Sequence, residues 1–311
     1  MTLRLRVQLA ILVAVAVPLS GCLFRSRTPK VLMSTAQLQS ASFEQLVAQI
    51  DQQAARMQTL NATVDLAAST GGSKKGKITD YQEIKGYILL RKPDTLRMIG
   101  LFPIVRNRAF DMVSNGDTFK LWLPPKNKFY IGRNDVIKAN STQPLENLRP
   151  QHILDALLLR QIDPQNEIAV LEQGNETVSD PKTKKDVLQP DYVIDVIRKS
   201  EKGWYLSRKI YFSRTDLQPH RQVVYDKNGN VATDASYEDF KDYNGVQFPT
   251  IIHIFRPQEE YAVTLTMEKL TMNQPLTDEQ FALAQPPGSQ LVRMDGTNGS
   301  ATSSNPGHQA N

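Results

Sequence analysis

Apolar residues recur at every second position through run after run of this chain, and that periodicity constrains its fold more than any other feature. Across 204–213, Trp204, Leu206, Ile210 and Phe212 share one side, while Ser207, Lys209 and Ser213 take the other. Tyr261, Val263, Leu265 and Met267 alternate with Thr264, Thr266 and Glu268 in the same way. Successive side chains of a strand point to opposite faces, so these runs predict strands with one apolar and one wet face. Eleven segments have this character: 61–68, 83–91, 108–113, 118–123, 128–131, 191–199, 204–213, 220–226, 231–239, 246–256 and 261–272. Turn dipeptides such as Asn115-Gly116, Asn228-Gly229 and Asn244-Gly245 separate several of them.

Helical signals are few. Ser42 and Gln45 have capping-box spacing ahead of Phe43, Leu46, Val47, Ile50, Ala54 and Met57, which share a helical face. A second helix is predicted over 150–160, with Pro150 in its first turn and Ile153, Leu154, Leu157 and Leu158 on one side. Thr277 and Gln280 cap a short turn carrying Phe281. The pattern predicts a mainly β (α+β) fold built on one large curved antiparallel sheet. Its apolar side is too large for two or three short helices to fill, so an apolar cavity is expected.

The amino terminus sets an address. Arg4 and Arg6 precede the nine-residue apolar run 9–17, the pattern of a secretory signal, and the run is short for a bilayer span. Leu19-Ser20-Gly21-Cys22 then resembles a bacterial lipobox, and Cys22 is the sole cysteine of the chain. That resemblance implies acylation of Cys22, stable anchoring through two or three acyl chains, and, with Leu23 rather than Asp next, the outer membrane of a Gram-negative envelope. The expected organisation is a signal peptide at 1–21, a lipidated tether at 22–41, one domain at 42–285, and a disordered Gly-, Ser- and Asn-rich tail at 286–311.

Charge decides little. Lys and Arg total 37 against 32 acidic residues among 311, and loss of Arg4 and Arg6 with the signal lowers the net charge from +5 to +3. That balance gives no ground for nucleic acid as a partner. Mean hydropathy of −0.39 excludes a chain of many membrane helices. Chemistry has no constellation to rest on. His152, His220, His253 and His308 lack metal-ligand spacing, and neither Gly-x-Ser-x-Gly nor a phosphate-binding loop occurs. His253, alternating with Ile251 and Phe255, reads as a core or cavity-side residue. The stretch from Asp226 begins like a calcium loop, but Val231 stands where Gly is needed and Tyr237 where Glu is needed. Lys74, Lys75 and Lys77 read as a solvated turn. No metal, no cofactor and no enzymatic activity are expected.

Three stretches carry a family resemblance: Ile84-Lys85-Gly86-Tyr87-Ile88-Leu89-Leu90-Arg91-Lys92-Pro93-Asp94-Thr95-Leu96-Arg97; Tyr237-Glu238-Asp239-Phe240 through Asn244-Gly245-Val246-Gln247-Phe248-Pro249; and Leu276-Thr277-Asp278-Glu279-Gln280-Phe281. Together with the lipobox they resemble the LolA/LolB lipoprotein-localisation superfamily, over about residues 42–285. The resemblance implies a half-open antiparallel barrel with a helical lid over a cavity that binds acyl chains. The anchor points to the LolB-like receptor branch. Gly100-Leu101-Phe102-Pro103-Ile104-Val105 stands where that branch has a protruding apolar loop, with Leu101 or Phe102 as the bulky residue, Ile104 beside them, and Arg97, Arg106 and Arg108 as flanking cations. The same run also reads as a strand crossing the core and broken at Pro103.

Alternation nominates Leu89, Met98, Trp122, Trp204, Ile210, Phe212, Phe248, Phe255 and Leu265 as cavity lining, and a one-residue slip would reverse any of them. The resemblance implies a monomer that takes acylated lipoprotein or lipid cargo from a soluble periplasmic LolA-like carrier and passes it to the outer membrane. A non-catalytic binding, structural or sensory lipoprotein on the same fold is the alternative.

Overall fold

The first strand, β1 (Thr59–Gly72), alternates Leu60, Ala62, Val64 and Leu66 into the interior and is the element around which the others assemble. The computed structural model describes residues 32–74, 76–134, 149–180 and 183–294, so the signal segment, Cys22 and the chain beyond 294 lie outside the described residues. Among the described residues the first half of the chain adds β2 (Lys77–Asp80), β3 (Ile84–Arg91), β4 (Thr95–Leu101), β5 (Arg108–Ser114), β6 (Thr118–Leu123) and β7 (Lys128–Arg133). The second half adds β8 (Glu167–Ser179), β9 (Asp186–Ser200), β10 (Gly203–Ser213), β11 (Pro219–Tyr225), β12 (Val231–Asp242), β13 (Gln247–Arg256), β14 (Tyr261–Met272) and β15 (Gln290–Arg293). Among the described residues two α-helices accompany them: α1 (Phe43–Arg56), with the Ser42–Gln45 capping box formed, and α2 (Pro150–Leu157).

The strands form one open sheet in the order β15-β7-β6-β5-β4-β3-β1-β14-β13-β12-β11-β10-β9-β8, with β2 paired to β1 off that path. Each of the two meanders, β3 to β7 and β8 to β14, joins neighbours in sequence, and β1 is the seam between them. It pairs antiparallel with β3 from Thr59↔Arg91 to Leu66↔Ile84, and with β14 from Leu60↔Met272 to Thr70↔Tyr261. On the outer face Lys85 of β3 reaches Asp65 of β1 at 2.6 Å and also pairs with Glu268 of β14. Asp65 and then Glu268 raise the Lys85 ammonium above its ordinary range.

By its contacts the chain divides into two units. The smaller holds 32–35 and the hairpin tip between β8 and β9, where Met33 bridges Leu188 in parallel and Ser34 Oγ donates to Gln189 Oε1 at 3.3 Å. The larger spans 36–174 and 190–294 of the described residues and carries the core. One apolar cluster there joins β1, β3, β4, β6, β13 and β14 to Ile153, Leu154 and Leu157 of α2. A second sets Leu46 and Ile50 of α1 against Ile194 and Val196 of β9 and Ile210 and Phe212 of β10. Each such side chain taken from water contributes on the order of 1.5–3 kcal/mol.

Among the described residues fifteen strands form where alternation predicts eleven. The four additions are β2, β4, β8 and β15. β2 and β15 are short edge pieces, β8 carries Glu, Gln and Asn amid its apolar residues, and β4 holds the Leu-Arg-Met-Ile-Gly-Leu run that blurs into the following loop. The tail expected to be disordered from 286 instead pairs Gln290–Arg293 with β7 in parallel and buries Met294.

Four expected lining residues lie on the opposite face. A bulge between Leu206 and Arg208 shifts the β10–β9 register, so Trp204 and Leu206 face outward while Ile210 and Phe212 face inward. Trp204 is accordingly 52% exposed and Phe212 fully buried. Phe255, with His253 and Ile251, lies on the outer face of β13, because Ile252 and Ile254 take the interior. Leu89 lies between buried Ile88 and Leu90, and Trp122 between buried Leu121 and Leu123. Apolar residues on both faces of these strands leave a period of two unable to choose the inner one. Phe212→Ala is expected to cost about 3–5 kcal/mol and Trp204→Ala less than about 1 kcal/mol in urea unfolding, since only the first opens a cavity in the core.

Candidate functional site

A cavity of about 430 Å³ lies on the buried face beside the β1 seam. Its walls are Leu66 and Ala68 of β1, Ile84 of β3, Met98 of β4, Phe110 and Met112 of β5, Leu121 and Leu123 of β6, Tyr261 and Val263 of β14, and Ile153 of α2. Polar groups are confined to Ser69, Thr70, Gln82 and Lys126 together with the two tyrosine hydroxyls of Tyr81 and Tyr261. Three of its lining residues, Ala68, Ala109 and Ala262, are small. Gly100 contributes in another way: a Cβ there would come within 2.4 Å of the Phe110 ring, so its absence lets that ring lie across the β4–β5 hairpin.

The helix over this cavity is tied down by polar contacts. Tyr237 Oη donates to the Ala156 carbonyl at 2.9 Å, and Gln222 Nε2 donates to the Asp155 carbonyl at 3.0 Å. His152 Nδ1 and Tyr261 Oη share a buried hydrogen bond of 3.1 Å. Burial, with Arg256 and then Arg149 nearby, holds the His152 imidazole well below its ordinary range, so it is neutral at neutral pH. Burial likewise pushes the Tyr237 and Tyr261 hydroxyls up, which keeps them protonated as donors.

The apolar run after β4 leaves the core. Leu101 ends the strand, Phe102 lines the cavity, and 103–107 form an exposed turn closed by Arg106 N donating to Phe102 O at 3.0 Å. Its tip is Ile104, 91% exposed, with Val105 beside it at 64%. The bulky tip residues are therefore Ile104 and Val105 rather than Leu101 or Phe102. Of the flanking arginines, Arg97 clamps the fully buried Asp111 carboxylate through two hydrogen bonds of 3.1 and 2.9 Å, and Arg108 approaches it at 3.2 Å. Arg106 sits in the exposed turn itself.

Of the other expected lining residues, Met98 borders this cavity and Leu265 is buried in the same core cluster. Phe248 packs in that cluster too, and Ile210 and Phe212 lie in the α1 cluster. Cys22 lies outside the described residues. The walls that sequence reasoning passed over, Leu66, Ile84, Phe110, Met112, Leu121 and Val263, carry the same alternation signal. Only the pairing of β1 with β3 and β14 brings them together.

The geometry defines an open, mostly antiparallel sheet that holds an apolar cavity beneath a short helix. Several solved structures are similar to the chain at low sequence identity. The chain is similar to a LolA superfamily protein from Nitrosomonas europaea, with a TM-score of 0.48 and 12% identity over 78% of this chain and 99% of that one. It is similar to an outer membrane lipoprotein-sorting protein domain from Vibrio parahaemolyticus, with a TM-score of 0.46 and 11% identity over 76% and 94%. A DUF1329 family protein from Desulfovibrio piger gives 0.46 and 18% over 76% and 94%. A family model described as an uncharacterized protein matches residues 174–285, and no curated protein matches the chain.

The neutral His152 makes stability depend on pH. The unfolded chain takes up that proton near pH 6.5 and the folded chain does so only at lower pH. Its effect is therefore absent above about pH 6.5, and stability declines as the pH falls below that value. Urea midpoints at pH 7.5 and 5.5 are expected to differ in the native chain, and His152→Gln is expected to shrink that difference.

Proposed function

We propose that this chain is a lipid-anchored envelope lipoprotein that shelters acyl chains in the cavity beside β1 and helps transfer lipoprotein or lipid to the outer membrane. The cavity carries this reading: about 430 Å³ with walls that are almost wholly apolar, within the size range of small-ligand sites. An acyl chain there leaves water at a gain of about 0.8 kcal/mol per CH2, which sets a strong preference without any covalent chemistry. Burial is reversible, so the same preference lets a bilayer take the chain back.

In this reading α2 is the lid. Its inner face presents Ile153 to the cavity, and its eight residues are held through the three polar contacts described above. The exposed Ile104–Val105 tip enters the acyl region of the membrane, and Arg106 meets anionic head groups. Phe102, at the base of the same loop, lines the cavity and links its mouth to the membrane. The lipobox cysteine Cys22 anchors the chain, with its domain on the periplasmic side of the outer membrane. Cargo arrives from a soluble LolA-like carrier, and the receiving chain acts as a monomer.

Two experiments test the reading. The full chain carrying Cys22→Ser, purified without detergent, is expected to yield bound acyl lipid on mass spectrometry, and Ala68→Trp or Ala109→Trp is expected to remove it. Retention of the lipid by both variants would place it elsewhere and end the cavity assignment. For the loop, Ile104→Glu with Val105→Glu is expected to slow release of an acylated lipoprotein into anionic vesicles about tenfold or more, equivalent to about 1.4 kcal/mol, with acyl binding unchanged. Release at the native rate would remove the loop from the mechanism.

A further inference from the structure

The apolar cavity beside β1 has one charged side chain on its lining, Lys126, and no acidic one. Its deep walls are closed to water: Met98, Met112, Leu121 and Ile153 are each 3% exposed or less. The exposed members of the lining are Tyr81, Gln82, Pro125 and Lys126, and they mark where the cavity opens. Strand register brings them to one end of the sheet. Lys85, near the start of β3, pairs with Leu101 at the end of β4, and Leu101 with Arg108 at the start of β5. Asp111 then pairs with Trp122, and Leu123 at the end of β6 with Lys128 at the start of β7. The 81–82 segment, the exposed 103–107 turn and the 124–126 turn therefore leave the sheet at the same end. The two turns close neighbouring hairpins, so they stand about 10 Å apart, two strand spacings.

Lys126 is held in place from behind. It closes a single 3-10 turn, Pro124–Lys126, whose two prolines restrict the backbone. Asn127 N donates to the Pro124 carbonyl at 3.0 Å, and Gln290 N of β15 donates to the Asn127 carbonyl at 2.9 Å. Asn127 Nδ2 donates to the Gly288 carbonyl at 3.0 Å, so the β15 segment braces the turn. The Lys126 ammonium has no ion pair among the described residues, and Asp80 and Glu83 are absent from the lining. The arginines Arg97 and Arg108 at this end are instead engaged with Asp111. A cation without a counter-ion at the open end of an apolar cavity matches an apolar chain that ends in an anion. We infer that the cavity takes an anionic amphiphile, an acyl chain bearing a terminal carboxylate or phosphate, and that Lys126 pairs with that anion at the mouth. This rests on the reading of the cavity as an acyl site and adds the polar end of the ligand. The chain supplies affinity by leaving water, and the ion pair supplies selectivity among head groups.

The test is displacement of a neutral fluorescent dye from the full chain carrying Cys22→Ser, at pH 8. Three probes share one acyl chain and are used below their micelle concentrations: 1-palmitoylglycerol, its phosphate ester palmitoyl lysophosphatidic acid, and palmitate. At low salt one or both anions are expected to bind about two- to fivefold tighter than the neutral glycerol ester, the range for an ion pair near solvent. That preference is expected to shrink in about 1 M salt. Lys126→Gln is expected to bring the ratio of anionic to neutral affinity close to one, Lys126→Glu to invert it, and Lys126→Arg to keep it. Circular dichroism checks the fold of each variant. Tighter binding of the phosphate ester would assign a lysophospholipid head group, and tighter binding of palmitate a free fatty acid. Equal binding of all three probes by the native chain, or a preference that survives Lys126→Glu, would overturn the inference and leave the acyl cavity standing. Failure of every probe to displace the dye would overturn both.

Discussion

The pairing of β1 with β3 on one side and β14 on the other is the constraint on which the rest of the structure depends. It joins residues near 60 to residues near 270, and without it the two meanders would be separate sheets with unpaired edges. Its register is set by burial, because a slip of one residue would turn Leu60, Ala62, Val64 and Leu66 to solvent. A bulge in β14 places Glu268 beside the seam, where it joins Asp65 around Lys85. Core order inside and charge pairing outside thus fix the same three strands.

The cavity follows from that seam. Leu66 and Ala68 of β1 lie between wall residues from β3 to β6 and those from β14, so the site is shared by the two meanders. A sheet of this size has more inner face than α1 and α2 cover, and the cavity lies on part of that face. The α2 helix then separates two environments of opposite character. Ile153 meets an apolar cavity, while Gln151 and Asp155 meet a polar cleft. The polar contacts of α2 to β11, β12 and β14 are what keep those faces apart.

Much of this was legible in the chain. The capping boxes at Ser42 and Thr277, Pro150 at the start of α2, and the positions of most long strands follow local rules that act within a few residues. Sidedness was less legible. Phe248 and Phe255 are seven apart and therefore fall on opposite faces of β13, and nothing local says which face is inner. In β10 the decisive event is an extra residue at Ser207, which inverts the side taken by Trp204 relative to Phe212. A bulge answers to its partner strand, and the partner is distant in sequence. The cleft residues, drawn from turns at 94 and 115–117, from α2 and from β9 to β11, share no motif at all.

The sequence by itself determined the class of fold, the helix starts and most strand positions, because alternation, capping and turn chemistry are encoded between near neighbours. Only the tertiary structure decided which face of each strand is buried, that β8 and β15 bound an open sheet, that Ile104 and Val105 rather than Leu101 form the loop tip, and that Gln151, Gln222 and Arg208 meet in one cleft. Those outcomes depend on strand partners up to about two hundred residues apart. No local propensity selects among such partners; burial of the shared inner face does.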